Sequence, residues 1–456
     1  MSSYNLTAVI LAAGLGTRMK SKLPKVLHKI TGVPMINHVL QALEQAQIQR
    51  KILVLGHGAK EVEEQVGVSV EVVYQREQLG TGHAVLQTRP LLEKCTGPVL
   101  VVCGDTPLLR GETLAELIEK HEKGKQAVTV LTAQVENPYG YGRIVRQGGK
   151  IVAIREEKDA TMEEKKITEI NTGTYCFSGP FLVEALDKLT SANAQGEYYL
   201  TDLIELAVKA GLNVESFILE DSRESLGINN RLQLAQAEKI MQQRILEKLM
   251  LDGVTIIDPD NTYVEAKVSI GQDTILYPGT YLQGDTIIGS DCLIGPNTRI
   301  VSSKIGNNNT IQNTVILESQ INDNCQIGPF AYLRPGTVIE EGVKIGDFVE
   351  IKKSTIGKGS KVPHLTYVGD AFVGKKVNIG CGTITCNYDG EKKHVTIIKD
   401  GAFIGSNSNL VAPVTIEENA FIAAGSTITE DVPENSLGIA RGKQKNIINW
   451  VKKKKD

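Results

Sequence analysis

From Val264 onward, aliphatic residues recur every six positions, at Val264, Ile270, Leu276, Leu282, Ile288, Ile294 and Ile300. No α-helix has that period, and an ordinary sheet has a period of two. After a slip of one position the register resumes at Ile305, Ile311 and Leu317, and then at Ile321, Ile327, Leu333, Ile339, Ile345 and Ile351. Later runs are Ile356, Val362 and Val368, then Val373 and Ile379, then Ile398, Ile404, Leu410, Ile416, Ile422 and Ile428. A triangular coil with one hexapeptide per side explains this pattern. Each aliphatic side chain points to the axis and stacks on its equivalent one turn away. Full burial of each contributes roughly 1.5–3 kcal/mol. Glycine often follows the aliphatic residue, as at Gly271, Gly289, Gly306, Gly346, Gly380 and Gly405, where it is expected to relax the backbone at a corner. The period predicts a parallel β-helix and leaves its hand open. One interruption, from Thr385 to Ile397, holds Asn387-Tyr388-Asp389-Gly390 and reads as a loop, the place where coils of this kind carry function.

The first half follows another pattern. Thr7–Leu11, Lys51–Leu55 and Val99–Val102 read as buried strands, and Met35–Ala46, Thr113–Glu122 and Pro180–Leu189 as helices. Alternation of this kind predicts an α/β domain, a mostly parallel sheet covered on both faces. Such sheets bind ligands beyond the carboxyl ends of their strands. Residues 229–251 have helical periodicity without Gly or Pro and read as a linker helix. The expected division is therefore 1–228, 229–251, 252–437 for the coil, and a tail at 438–456.

The chain has 456 residues and a net charge of −3, which argues against a nucleic-acid partner needing a basic face. Its first apolar run has no basic residues before it and is a poor signal peptide, and no run reaches the ~18 residues that span a bilayer. Seven cysteines without CxxC spacing predict free thiols in a reducing, cytoplasmic setting. The lysines of 452–455 read as a solvated tail, too short a run to establish stable membrane association.

The first strand runs into Leu11-Ala12-Ala13-Gly14-Leu15-Gly16-Thr17-Arg18-Met19, followed by Leu23-Pro24-Lys25. A strand ending in a Gly-rich turn lets backbone N–H groups approach phosphates. Arg18 and Lys25 add the fixed positive charge that a triphosphate under attack requires. The segment is not a P-loop, since it lacks GK[ST], and Met19 breaks the G-x-G-x-x-G pattern. Asp105 stands at the carboxyl end of another strand, where a carboxylate suits Mg²⁺ shared with substrate phosphates. Read alone, it would equally suit a helix cap.

Together with QLGTGHA, GYGRIV, EINTG and GEYYLTD, these segments resemble the nucleotidyltransferases that make nucleotide sugars. Joined to the coil, they resemble a family of bifunctional bacterial enzymes, N-acetylglucosamine-1-phosphate uridylyltransferases that are also glucosamine-1-phosphate N-acetyltransferases, over about residues 5–440. The resemblance implies a left-handed β-helix, a homotrimer with acetyltransferase sites shared between subunits, and Mg²⁺ as cofactor. It implies that Leu11, Ala12, Ala13, Gly14, Lys25, Gln75, Gly80 and Thr81 hold the uridine nucleotide, that Gly140, Glu156 and Asn171 hold the sugar, and that Asp105 and Asn229 bind Mg²⁺. Nothing but the resemblance points to Asn229.

Acyl transfer to an amine needs a base, a donor for the oxyanion and a cationic site for the sugar phosphate. In the coil, His364 stands where an aliphatic or small residue is expected, and Arg334 and Lys352 are basic. Each also suits a plain structural or surface role. The resemblance makes His364 the general base and assigns Arg334, Lys352, Tyr367, Asn378 and Lys393 to the sugar phosphate. Acetyl-CoA contacts fall on Cys381, Asn387, Tyr388, Ser406, Ala424 and Arg441, and Glu350 is a candidate to orient the amine or His364. Cys381 stands where many relatives carry Ala, a change that a backbone contact survives. Two rivals remain: a nucleotidyltransferase whose coil only assembles or regulates, and a non-enzymatic assembly protein. The HLTY and NYDG segments argue against the first, and intact Arg18, Lys25 and Asp105 against the second.

Overall fold

The computed structural model describes residues 6–452, and the chain forms two compact units, Met1–Met241 and Gln242–Asp456. In the first, a nine-stranded sheet carries seven of its strands in the order Val214–Ile218, Val128–Gln134, Glu169–Ser178, Pro98–Cys103, Thr7–Ala12, Arg50–Leu55, Glu71–Tyr74. Only Glu169–Ser178 runs antiparallel to its neighbours along this path. A hairpin of Arg143–Gln147 and Lys150–Arg155 hangs from it through Ile170.

The central strands are apolar over most of their length because both faces are covered. Ala8, Ile10, Leu53, Leu100 and Val102 face one core with Leu43, Leu114 and Leu117. Val9, Ile52, Val54, Val99 and Val101 face the other with Leu182, Leu203 and Ile204. The covering helices include Met35–Gln45, Gly111–Gly124 and Gly179–Leu186, within a few residues of the expected bounds.

The predicted linker is a helix over Arg231–Leu251. Ala237 packs with Ile30, Met35, Leu108 and Ile228 of the first unit, and Leu246 joins Val254 and Ile256 of the second.

In the second unit, short parallel strands stack turn upon turn. One face pairs Ile270 with Ile288, then Ile305, Ile321, Ile339, Ile356, Val373, Ile398 and Ile416. The axis residues are almost entirely buried. The register needs one correction. Ile300 pairs with Ile316, and Val301 with Leu317, so buried Ile316 rather than half-exposed Leu317 takes the axial place. Two successive sides of five residues there, Ile311 to Ile316 and Ile316 to Ile321, replace sides of six.

The role of the glycines also differs from expectation. Gly271 and Gly380 do not have left-handed backbone. A Cβ at Gly271 would lie 2.6 Å from the Ser290 amide nitrogen, and one at Gly380 would lie 2.6 Å from that of Ser406. Glycine is needed there because the next turn comes too close for a side chain.

Candidate active sites

The strands Thr7–Ala12, Arg50–Leu55 and Pro98–Cys103 end on one side of their sheet, and a cleft of about 270 Å³ opens there. Leu11, Ala12, Ala13, Gly14, Lys25, Gln75, Gly80, Thr81 and Asp105 all line it. Gly80 has φ +107°, and a Cβ there would lie 2.6 Å from the Tyr198 carbonyl oxygen, so this wall of the cleft admits no larger residue. Gln75 is buried, and its Nε2 donates to the Gly80 carbonyl at 3.0 Å.

The charged groups meet at the mouth of this cleft. Lys25 Nζ donates to Asp105 Oδ2 and, at 3.1 Å, to Asn229 Oδ1. Arg18 donates to the same Asn229 oxygen at 2.9 Å. His57, Gln78, Cys103 and Glu197 also line the cleft, and sequence reasoning missed them. No spacing marks them, since they come from four separate loops and strand ends.

Gly140, Glu156 and Asn171 do not line that cleft. Glu156 and Asn171 gather around Gly142, where a Cβ would sit 3.4 Å from Asn171 Cβ and 3.5 Å from Glu156 Oε1. The Gly140 amide donates to Glu157 at 3.1 Å, and Glu157 is anchored by buried Arg143. Burial pushes the Glu156 carboxyl up, against a hydrogen bond from Thr201. The two groups adjoin through Cys103, whose thiol points at the Gly173 carbonyl, while the Gly173 amide donates to Asn171 Oδ1 at 3.0 Å.

In the coil, His364 is exposed and lies outside the axis, between axial Val362 and Thr366. The expectation of an aliphatic or small residue at this place is therefore corrected: the position faces outward, and His364 interrupts nothing in the core. Its Nδ1 is 2.8 Å from Asp347 Oδ1 on the preceding turn. Glu350 does not reach it, and accepts from Arg334 Nη1 at 2.8 Å instead.

The cationic residues share an adjoining surface. Glu350 pairs in register with Tyr367, and the Arg334 amide donates to Ile351, which places Arg334 beside Lys352. Lys352 Nζ donates to Asp370 Oδ2 at 3.2 Å. Asn387 donates to the same oxygen and lies 3.4 Å from the Tyr367 hydroxyl, so it groups with Lys352, Tyr367 and Asp370. Lys393 arrives from the loop, bridged to Tyr388. Hydrogen bonding between the two lysines raises Lys352 and lowers Lys393 from the ordinary lysine value. Asn378 pairs with Lys361 on one neighbouring strand and with Phe403 on the other.

A backbone ladder climbs the edge that starts beside His364. Gly382 donates to Leu365, Asn407 to Cys381, and Gly425 to Ser406. Arg441 Nη1 closes it on the Ala424 carbonyl at 2.8 Å. Cys381, Ser406, Ala424 and Arg441 thus form one continuous strip. Asp347 and Asp370 were missed by sequence reasoning, although turn length could have found them: Asp347 precedes His364 by 17 residues, and Asp370 follows Lys352 by 18.

Residues 7–241 match the Nucleotidyl transferase family model. Residues 267–301, 318–353 and 396–430 match the Bacterial transferase hexapeptide (six repeats) model, and 285–319 the Hexapeptide repeat of succinyl-transferase. A protein named Bifunctional protein GlmU from Heliobacterium modesticaldum is 57% identical over 452 residues, 99% of each chain. Another of that name, from Carboxydothermus hydrogenoformans, is 56% identical over 448 residues, 98% of this chain and 100% of its own. A third, from Geobacillus sp., is 54% identical over 445 residues, 97% of each. The chain belongs to the bifunctional GlmU family. It is accordingly an enzyme with two transferase activities, a uridylyltransferase on the α/β unit and an acetyltransferase on the left-handed hexapeptide β-helix. That rules out both rivals, the single-activity enzyme and the assembly protein.

Proposed function

We propose that the protein acetylates glucosamine-1-phosphate with acetyl-CoA on residues 252–437, and then transfers UMP from UTP to the product on residues 1–228. UDP-N-acetylglucosamine and pyrophosphate leave, and the sugar nucleotide feeds cell-wall synthesis. The observation that carries the first site is the convergence of Arg18, Lys25, Asp105 and Asn229 at the carboxyl ends of the parallel strands. Leu11–Gly14, Gln75, Gly80 and Thr81 bind the nucleotide, and Gly140, Glu156 and Asn171 the sugar.

The sugar phosphate oxygen attacks the α-phosphorus, and no enzyme nucleophile takes part. Arg18 and Lys25 offset the charge that builds on the phosphates. Asp105 and Asn229 are two hard oxygen donors whose oxygens already meet at one cation, the Lys25 ammonium, and this fits a Mg²⁺ that keeps substrate phosphates among its ligands. The ion, when bound, supplies further positive charge toward the triphosphate.

At the second site His364 is the general base. Arg334, Lys352, Tyr367, Asn378 and Lys393 hold the sugar phosphate. Acetyl-CoA lies along Cys381, Asn387, Tyr388, Ser406, Ala424 and Arg441. The protein assembles as a homotrimer, a reading supported by exposed apolar side chains on the coil such as Ile287, Leu293, Phe372 and Ile397. Seven free thiols suit the cytoplasm.

The test mixes protein, glucosamine-1-phosphate, acetyl-CoA, UTP and Mg²⁺, omitting each in turn. UDP-N-acetylglucosamine forms only with all present, and omission of UTP leaves N-acetylglucosamine-1-phosphate. Sedimentation of a species other than three chains would refute the trimer.

A further inference from the structure

Asp347 and His364 stand directly opposite each other in the paired strands Lys344–Lys352 and Lys361–Gly369. Adjacent strands lie about 4.8 Å apart, so a short carboxylate and an imidazole on the same face meet without extension. The contact is 2.8 Å, from Asp347 Oδ1 to His364 Nδ1. We propose that Asp347 is the positioning residue of the acetyltransferase site: its carboxylate holds the Nδ1 proton of His364 and leaves the Nε2 lone pair to receive the proton of the attacking amine. The proposal rests on the reading of His364 as general base.

Several features fix this arrangement. The hydrogen bond from His364 holds the Asp347 carboxyl below the usual carboxylate range, with help from its own backbone amide. An ionised carboxylate only accepts hydrogen bonds, so the proton in the contact belongs to Nδ1. A neutral imidazole then carries its lone pair on Nε2. Among the described residues, Nε2 has no partner within the chain. The backbone under the ring is also held. Thr366 Oγ1 donates to the His364 carbonyl at 2.6 Å, and the next carbonyl, of Leu365, accepts from Gly382 at 2.9 Å. Glu350, the other carboxylate nearby, is bound to Arg334 and does not compete for the ring.

The step balances. As the amine nitrogen forms its bond to the acetyl carbonyl carbon, its proton passes to Nε2. The C–S bond then breaks, and coenzyme A departs as the thiol with that proton. Between these events the ring is an imidazolium facing a carboxylate, which stabilises it. Cys381, Ser406 and Ala424 rise from the same edge on the turns above, so the thioester laid along them reaches the face that Nε2 serves.

The test measures both activities of the full-length enzyme for Asp347→Ala, Asp347→Asn, His364→Ala and the double variant Asp347→Ala/His364→Ala. Asp347→Ala is expected to lower kcat for acetyl transfer about 10- to 100-fold, a part of the 10²–10⁴ a general base supplies. KM for both acetyl-transfer substrates should stay within about twofold, because groups that bind substrate are untouched. Uridylyl transfer should be unchanged, which also reports an intact chain. Asp347→Asn keeps an acceptor oxygen of the same shape and should recover part of the loss. In the His364→Ala background, loss of Asp347 should cost nothing further. If His364→Ala is inactive while both Asp347 variants keep wild-type kcat, the positioning role is overturned and the base stands. If His364→Ala keeps full acetyl transfer, the base assignment itself falls.

Discussion

Lys25 Nζ lies 3.1 Å from the side-chain oxygen of Asn229, a residue 204 positions further along the chain. Asn229 stands just before the helix Arg231–Leu251, and Lys25 opens a short turn after the glycine-rich loop. The same ammonium donates to Asp105. Three distant segments thus close on one cationic point.

Removing either oxygen should therefore stop one reaction and leave the other. Asp105→Ala and Asn229→Ala are expected to lower uridylyl transfer by about 10²-fold or more, the scale of losing a preorganised charge partner. Acetyl transfer should remain at its wild-type rate in the same preparations. Asn229→Ala should also raise the Mg²⁺ concentration needed for half-maximal uridylyl transfer. Equal loss of both activities would contradict the division of labour.

Asp370 ties Lys352 to Asn387. Its replacement by Ala removes the carboxylate that both share, and KM for glucosamine-1-phosphate should rise about tenfold, on the scale of one lost charge-assisted hydrogen bond. KM for UTP should not move.

Lys393 is held below the ordinary lysine value, first by its hydrogen bond with Lys352 and then by the charge of that neighbour. It therefore loses its proton before an ordinary lysine does as pH rises. KM for glucosamine-1-phosphate should climb on the alkaline side, and Lys393→Arg, which keeps its charge, should move that climb to higher pH. An unchanged alkaline limb in the arginine variant would remove Lys393 from phosphate binding.

His121 is buried in the helix Gly111–Gly124 against Thr129, and burial lowers its pKa to about 4. The unfolded chain takes up that proton near pH 6.5, and the folded chain does not. Stability of the α/β unit should thus fall as pH drops from about 6.5 toward 4, by up to about 3 kcal/mol. His121→Gln should flatten the pH dependence of the urea midpoint for loss of uridylyl transfer.

In the coil, Ile339→Ala removes a fully buried axial side chain and should cost about 2–5 kcal/mol. Gly271→Ala should cost about 1–3 kcal/mol by forcing two turns apart. Urea unfolding followed by loss of acetyl transfer reads both, and neither variant should alter kcat for uridylyl transfer.

The six-residue recurrence, the mostly apolar strands and the glycine-rich turn were legible because each is a local pattern. Burial at Ile288, Ile305 and Ile321 repeats with the coil, and burial on both faces makes Val9 and Ile10 equally apolar. Chain order therefore dictated two unlike folds and the loops where chemistry gathers. Which side chains meet was a different matter. Asp347 at His364, Asp370 at Lys352 and Asn229 at Lys25 are joined across turns and loops, and hydrogen bonds act over about 3 Å whatever the sequence separation. Only the stacking of turns and the closure of the sheet bring such partners within that distance, so the tertiary structure alone decided which carboxylate serves which base or cation.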